Sequence, residues 1–323
     1  MRSSQLFSTP AGWLIALLLA AAALASLPTS ANSWPLPAAG SRLIGQNIFH
    51  VVDDDGGSLE AVAKKYNVGF LALLQANPGV DPYVPRPGSV LTIPRQMLLP
   101  DAPREGLVVN LAELRVYYYP AGKNSVTVYP IGIGQLGGDT MTPTMQTTVS
   151  EKRANPTWTP TANIRARYLA NGIKLPAVVP AGPDNPMGHH AIRLAAYGGV
   201  YLLHGTNADF GIGMRVSSGC IRLRDNDIKA LYKALPVGAP VRIINEPIKT
   251  SVEPDGRRLV EVHQPLSKST HDDPKVLPIV LSEQMKQFRA APETDAQVME
   301  QAMQHRSGMP VEVNVHAENA DAI

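Results

Sequence analysis

The chain holds one cysteine, Cys220, among its 323 residues. An internal disulfide is thereby excluded, and so is a zinc site built from several thiolates. Aromatic residues are scarce at 6%, and the net charge of +2 is too small to argue electrostatically for a nucleic-acid partner. Metal-ligand spacing is also missing. His189 and His190 are adjacent, and neighbours on a strand point to opposite faces, so the pair does not chelate one ion. Gly132, Gly134, Gly137 and Gly138 lie near a turn and precede no helix, which removes a phosphate-loop reading. No cofactor and no metal are expected.

What is present is proline and glycine, 29 and 26 residues, within a chain that is 44% hydrophobic and 17% charged. That balance suits a loop-rich, mostly β (α+β) protein of more than one domain. The apolar run over 13–20 is short for a membrane span, and small-residue patterns follow it at Ala23-Leu24-Ala25 and Thr29-Ser30-Ala31. Residues 1–31 therefore read as a secretory signal peptide, and the expected location is a periplasm. No cysteine lies near the cleavage region, so lipidation there is excluded.

A proline-rich spacer is expected over 32–46, and a small βααβ unit over 47–95. In that unit Ser58 is placed to cap a helix, and Leu59, Val62, Ala63 and Tyr66 recur at helical spacing. A second apolar helix spans 70–74, and the turn and strand over 87–94 close the unit. After a linker at 97–104, a mostly β domain is expected over 105–248. It opens on a hairpin, 107–111 and 114–119, joined through Ala112 and Glu113. A short helix over 225–235 is expected to be capped by Asp225, with Ile228, Leu231, Tyr232 and Leu235 as its apolar face. The extension 249–323 is polar; a strand at 260–262, helices over 282–289 and 293–304, and partial disorder are expected there.

The stretch 201–223, YLLHGTNADFGIGMRVSSGCIRL, organises the whole. A strand over 199–203 is expected to deliver His204, and after a glycine-punctuated loop Cys220 opens a second strand. That arrangement puts a thiol beside an imidazole, and a neighbouring imidazolium favours the thiolate nucleophile. A lone cysteine is most often a small buried hydrophobe. Gly219 argues otherwise, because it permits close approach of a substrate and sets two successive N–H groups, those of Gly219 and Cys220, where an oxyanion would form.

HG at 204–205, followed by SSGCIR at 217–222, resembles the signature of the YkuD-type L,D-transpeptidases. The segments TPT at 142–144, NPTWTP at 155–160 and PAGPDNPMG at 180–188 are similar to family segments as well. The resemblance implies a β-sandwich catalytic domain, with Cys220 as nucleophile and His204 as base. It further implies that the Gly205 carbonyl orients the imidazole and that Arg222 binds a substrate carboxylate, with a structural ion pair as the alternative for Arg222. Ser218 stands where many members carry histidine, as in the Gram-negative periplasmic branch, and leaves His204 as the matched base. The implied reaction cleaves the L,D bond before D-alanine of a peptidoglycan tetrapeptide stem. The acyl group passes to an amine, either diaminopimelate of another stem or lysine of a wall-anchored lipoprotein. A cysteine L,D-carboxypeptidase and a non-catalytic wall-binding protein are the alternatives. The 47–95 unit resembles a LysM module, which implies binding of wall glycan.

Overall fold

The structure is a computed structural model and describes residues 32–135, 140–269 and 271–315. The expected signal segment, 1–31, lies outside the described residues. The expected spacer, 32–46, has secondary structure of its own. It carries strands β1 (Ser33–Pro35) and β2 (Leu43–Ile44). β1 joins an outer edge of the main sheet, where the missing N–H of Pro35 is tolerated. Trp34 covers the apolar cluster on that side.

The βααβ unit forms from β3 (Ile48–Val51), α1 (Leu59–Lys65), α2 (Phe70–Ala76) and β4 (Val90–Ile93). The Ser58 hydroxyl caps α1 by accepting from the Ala61 N–H at 3.4 Å. Leu59, Val62, Ala63, Leu73, Leu91 and Ile93 close a core of the unit's own. β4 pairs antiparallel with β3. The following residues, expected as linker, begin with β5 (Met97–Leu98), which pairs with β2.

This unit does not hang on a tether. The N–H groups of Phe70 and Leu71, at the start of α2, donate to the carbonyls of Ile212 and Gly213 at 3.2 and 3.3 Å. Those carbonyls belong to the loop between His204 and Cys220. The backbones meet so closely that a Cβ on Gly213 would stand 2.4 Å from the Gly69 Cα. Asn67, in the left-handed region at φ 49°, completes the joint. Its amide donates to Asp227 Oδ1 at 2.9 Å and accepts from Arg224 Nη1 at 2.7 Å. Burial pushes the Asp227 carboxyl up to about 6 against the opposing bond from Asn67. Asn67→Ala removes both contacts to charged groups, each worth roughly 1.5–3 kcal/mol. The expected loss of stability in denaturant titration is about 3 kcal/mol, and a loss below about 1 kcal/mol would contradict this description of the joint.

The central domain is built from β6 (Gly106–Asn110), β7 (Arg115–Tyr119), β8 (Ser125–Pro130), β9 (Ile133–Gly134) and β10 (Met145–Ala154). Helix α3 (Ala162–Ala170) follows, then β11 (His190–Leu194), β12 (Leu202–His204), β13 (Arg215–Ser217) and β14 (Ile221–Arg222). Helix α4 (Asp225–Ala234) and β15 (Pro240–Ile244) complete it. One nine-stranded mixed sheet runs β1-β8-β7-β6-β15-β10-β11-β12-β14. Both faces are covered at its centre, so β7 is buried at every position. Alternate residues separate the two cores: Val116 and Tyr118 face one, Tyr117 and Tyr119 the other. The first core takes residues from β6 through β14 and from α4, so the sheet curls round it.

Among the described residues the C-terminal segment is folded through residue 315, and the strand and two helices expected in it form; residues 316–323, the extreme end, lie outside the described residues. It comprises β16 (Ile248–Val252), β17 (Arg258–Val262), α5 (Glu283–Ala290), α6 (Ala296–His305) and β18 (Pro310–Glu312). The strands pair β16-β17-β18, and Val260, Val262, Phe288, Met299 and Val313 form a further core. Buried charge is one of the ties between this unit and the central domain. Lys249 is fully buried, with its ammonium 3.0 Å from Glu113 Oε2 and 2.9 Å from Glu261 Oε1. Arg115 reaches the same two carboxylates, and the Tyr117 hydroxyl donates to Glu113.

Candidate active site

The period of a strand assembles the site. β10 faces β11 with Glu151 opposite Arg193 and Arg153 opposite Ala191. β11 faces β12 with Arg193 opposite Leu202 and Ala191 opposite His204. β12 runs parallel to β14 with His204 opposite Arg222, which sets Cys220 near the level of Leu202. Adjacent strands lie about 4.8 Å apart, and residues two apart share a face. Glu151, Arg153, Arg193, His204, Cys220 and Arg222 therefore project from one face. All of them line a cleft of about 740 Å³. The opposite-facing Ile192, Leu203 and Ile221 are buried in the core and hold the face in place.

The strand before His204 is shorter than expected. It covers Leu202–His204, while Ala196–Gly199 forms a tight turn with Tyr197, Gly198 and Gly199 at φ 53°, 67° and 79°. A tyrosine in the left-handed region costs on the order of 1 kcal/mol and breaks the β-branched, apolar reading of 199–203.

His204 is buried, and its Nδ1 lies 2.6 Å from the Gly205 carbonyl. A carbonyl only accepts, so Nδ1 carries the proton and Nε2 keeps its lone pair. Burial, with the Arg222 charge added, lowers the imidazole to about 4. Cys220 is half-buried, its thiol donating to the Val200 carbonyl at 3.8 Å. Burial pushes this thiol up, while the Leu202 N–H and the charges of Arg222 and Arg193 pull the other way. Burial thus favours the neutral imidazole and the protonated thiol over the imidazolium and thiolate expected from the sequence.

The loop that carries Cys220 is held by Ser217 and Thr142. The Ser217 hydroxyl donates to the Cys220 carbonyl and accepts from the Gly219 N–H at 3.3 Å, so one of the two expected oxyanion donors is engaged within the loop. The Thr142 hydroxyl donates to the Gly219 carbonyl at 2.8 Å. Gly219 itself sits at φ 104° with the Tyr201 ring 3.3 Å from where a Cβ would be. Ser218 accepts from Arg167 Nη2 at 2.7 Å. Arg222 Nε is buried without a partner, and among the described residues no carboxylate pairs with its guanidinium.

Three features of the site were missed in the sequence. Helix α3, capped by Thr161, sits in an excursion closed by the paired backbones of Trp158 and Val179 and lines the cleft with Arg167 and Tyr168. Glu151, Arg153 and Arg193 share the face of His204; the alternation of 151–153 and 191–193 was the available signal. Asp225 was expected as a helix cap. It instead occupies the first turn of α4 and accepts from the His189 backbone N–H at 3.1 Å and ring Nδ1 at 2.9 Å. Elsewhere, Glu113, Glu261 and His263 converge within 4.8 Å, but the Lys249 ammonium already fills the place a cation would take.

Comparison with known proteins follows the same division of the chain. Residues 104–243 match the L,D-transpeptidase catalytic domain family (YkuD), 50–94 the LysM domain family, and 247–313 the L,D-transpeptidase C-terminal domain family. The Escherichia coli K12 protein named "Probable L,D-transpeptidase YcfS" is 75% identical over 304 residues, which is 94% of this chain and 95% of that one. "Probable L,D-transpeptidase YbiS" of the same organism is 50% identical over 88% of this chain and 93% of its own. "Probable L,D-transpeptidase ErfK/SrfK" of Salmonella typhimurium is 49% identical over 88% and 92%.

Proposed function

The chain belongs to the L,D-transpeptidase family and is an enzyme of that class, and from that premise we propose that Cys220 is its acyl-accepting nucleophile and His204 its base. The observation that carries this reading is the chain's sole cysteine lining a cleft with a buried imidazole whose free Nε2 is fixed by the Gly205 carbonyl. The thiol attacks the carbonyl of the L,D bond in a peptidoglycan stem as Nε2 takes its proton. The C–N bond breaks, the same proton goes to the departing D-alanine amine, and a thioester remains. An acceptor amine then attacks the thioester and the thiol is restored. With the Gly219 N–H engaged by Ser217, the Cys220 N–H is the oxyanion donor from this loop, such a donor being worth roughly 3 kcal/mol. Arg222, half-buried with its Nε unpartnered and no carboxylate against it among the described residues, supplies a cation for a stem carboxylate; this favours substrate binding over a structural ion pair.

Residues 105–248 carry this chemistry, 47–95 hold the enzyme on wall glycan, and the signal-like start of the chain directs it to the periplasm. The acceptor is diaminopimelate of a second stem or lysine of a wall-anchored lipoprotein. Purified enzyme given tetrapeptide stems should yield cross-linked stems by mass spectrometry, and lipoprotein-linked stems if that acceptor is favoured. Free tripeptide alone, with acceptor amine in excess, would make the enzyme a hydrolase and refute transfer.

Proton bookkeeping gives a further expectation. The profile of kcat/KM reports the free enzyme. Because His204 is held down to about 4, the neutral pair persists on the acid side well below the usual imidazole range. Activity should stay level as pH falls through 6.5 and drop only as it passes about 4. An acid limb centred near an ordinary imidazole value of about 6.5 would contradict the buried, neutral His204.

A further inference from the structure

Arg193 lies in the cleft without a role in the chemistry above. Its guanidinium has two partners on different elements: Nε donates to Glu151 Oε2 at 3.2 Å across β10, and Nη1 donates to the Gly199 carbonyl at 2.6 Å. Gly199 packs on the same side chain, so that a Cβ there would be 3.0 Å from Arg193 Cδ. The carbonyl that Arg193 grips ends three consecutive left-handed residues, a conformation that persists only when something holds it. The next residues are the ones that meet the nucleophile. The Val200 carbonyl accepts from the thiol at 3.8 Å, and the Leu202 N–H favours its thiolate. One backbone segment thus offers the sulfur an acceptor for its protonated form and a donor for its charged form.

We propose that Arg193 is a positioning residue for the nucleophile: anchored by Glu151, it fixes the 199–202 backbone against Cys220 and so sets the resting geometry of the thiol. The proposal rests on Cys220 being the nucleophile. The charged side chains acting on the sulfur are Arg222 on β14 and Arg193 on β11, with Val200 and Leu202 supplying backbone contacts; His204 on β12 lines the same cleft. Arg193 acts on the sulfur both through the backbone and through its charge, so removing the charge and moving the backbone are separable. Arg193→Lys keeps a cation but loses the two-pronged grip that a planar guanidinium provides. Arg193→Gln loses the charge as well.

The test pairs turnover with alkylation of the thiol by iodoacetamide across pH, in the full chain. For Arg193→Gln, kcat should fall on the order of ten- to a hundred-fold with KM changed less than about three-fold. The midpoint of alkylation should move to higher pH. Arg193→Lys should restore the midpoint and leave kcat depressed. Glu151→Gln, which frees the guanidinium without touching the cleft's cation, should lower kcat in the same direction and serves if Arg193→Gln does not fold. A wild-type alkylation profile with unchanged kcat in Arg193→Gln, or a rise confined to KM, would overturn the proposal; the latter would make Arg193 a substrate contact. Alkylation needs no transfer chemistry, so a shifted midpoint in Arg193→Gln alongside full transfer activity in a Cys220 variant would refute the nucleophile and leave the positioning geometry standing.

Discussion

Cys220→Ala is expected to lose transfer activity by a factor on the order of a thousand or more, while melting close to the parent protein. Nucleophile removal abolishes covalent catalysis and leaves only binding and oxyanion contacts. The fold has little stake in the sulfur: it is half-buried at the cleft and meets only backbone groups, the Val200 carbonyl at 3.8 Å and the Leu202 N–H. The loop is held instead by Ser217 and Thr142, through the Cys220 and Gly219 carbonyls. Assay of cross-linked stems from the variant, beside its thermal melt, checks both halves. Retained product in a folded Cys220→Ala would end the covalent mechanism.

Lys249→Met is expected to destabilise the protein by about 3–5 kcal/mol. The substitution keeps volume but leaves Glu113 and Glu261, both fully buried, sharing Arg115 as their remaining strong cation. Burial alone raises both carboxyls. The Lys249 ammonium, the largest opposing influence, outweighs it only together with His263 and Arg115, and the three hold both carboxyls below the usual carboxylate value. A carboxyl depressed in the folded state contributes stability above its unfolded value, about 4.3, and loses it as pH falls through the folded value. Without Lys249 the folded values rise, so acid unfolding should begin at higher pH in the variant. Denaturant titration at neutral pH and an acid titration read these two effects. A change below about 1 kcal/mol with an unshifted acid transition would show that the ammonium does not bind the two units together.

The cysteine and histidine could be read directly from the sequence because their signals are local. A lone thiol after Gly219 and an apolar strand ending in His204 each declare themselves within a few residues. The helices of the βααβ unit were legible for the same reason, through Ser58 and the spacing of Leu59, Val62 and Ala63. The face that carries Glu151, Arg153 and Arg193 was not, because it depends on the pairing of β10 with β11 some forty residues apart. The turn at 196–199 was hidden by Val200, Tyr201 and Leu202, whose β propensity extends a strand that Tyr197 and two glycines in fact end. The C-terminal fold was obscured by composition. The extension was legible only as polar, yet Lys249 and Glu261 are buried ion-pair partners and Arg258 packs on the Phe288 ring at 4.3 Å. A polar sequence can bury its charges when their partners lie on another unit, and that information is not local.

The claim on which the rest depends is that the acyl group rests on the Cys220 sulfur between cleavage and transfer. Intact-protein mass spectrometry after brief exposure to a tetrapeptide stem, with acceptor amine withheld, measures this directly. The account predicts added mass equal to the stem minus D-alanine, located on the peptide containing Cys220, and discharged when amine is supplied. Release of D-alanine with no adduct at any time, or the same adduct on Cys220→Ala, would contradict it.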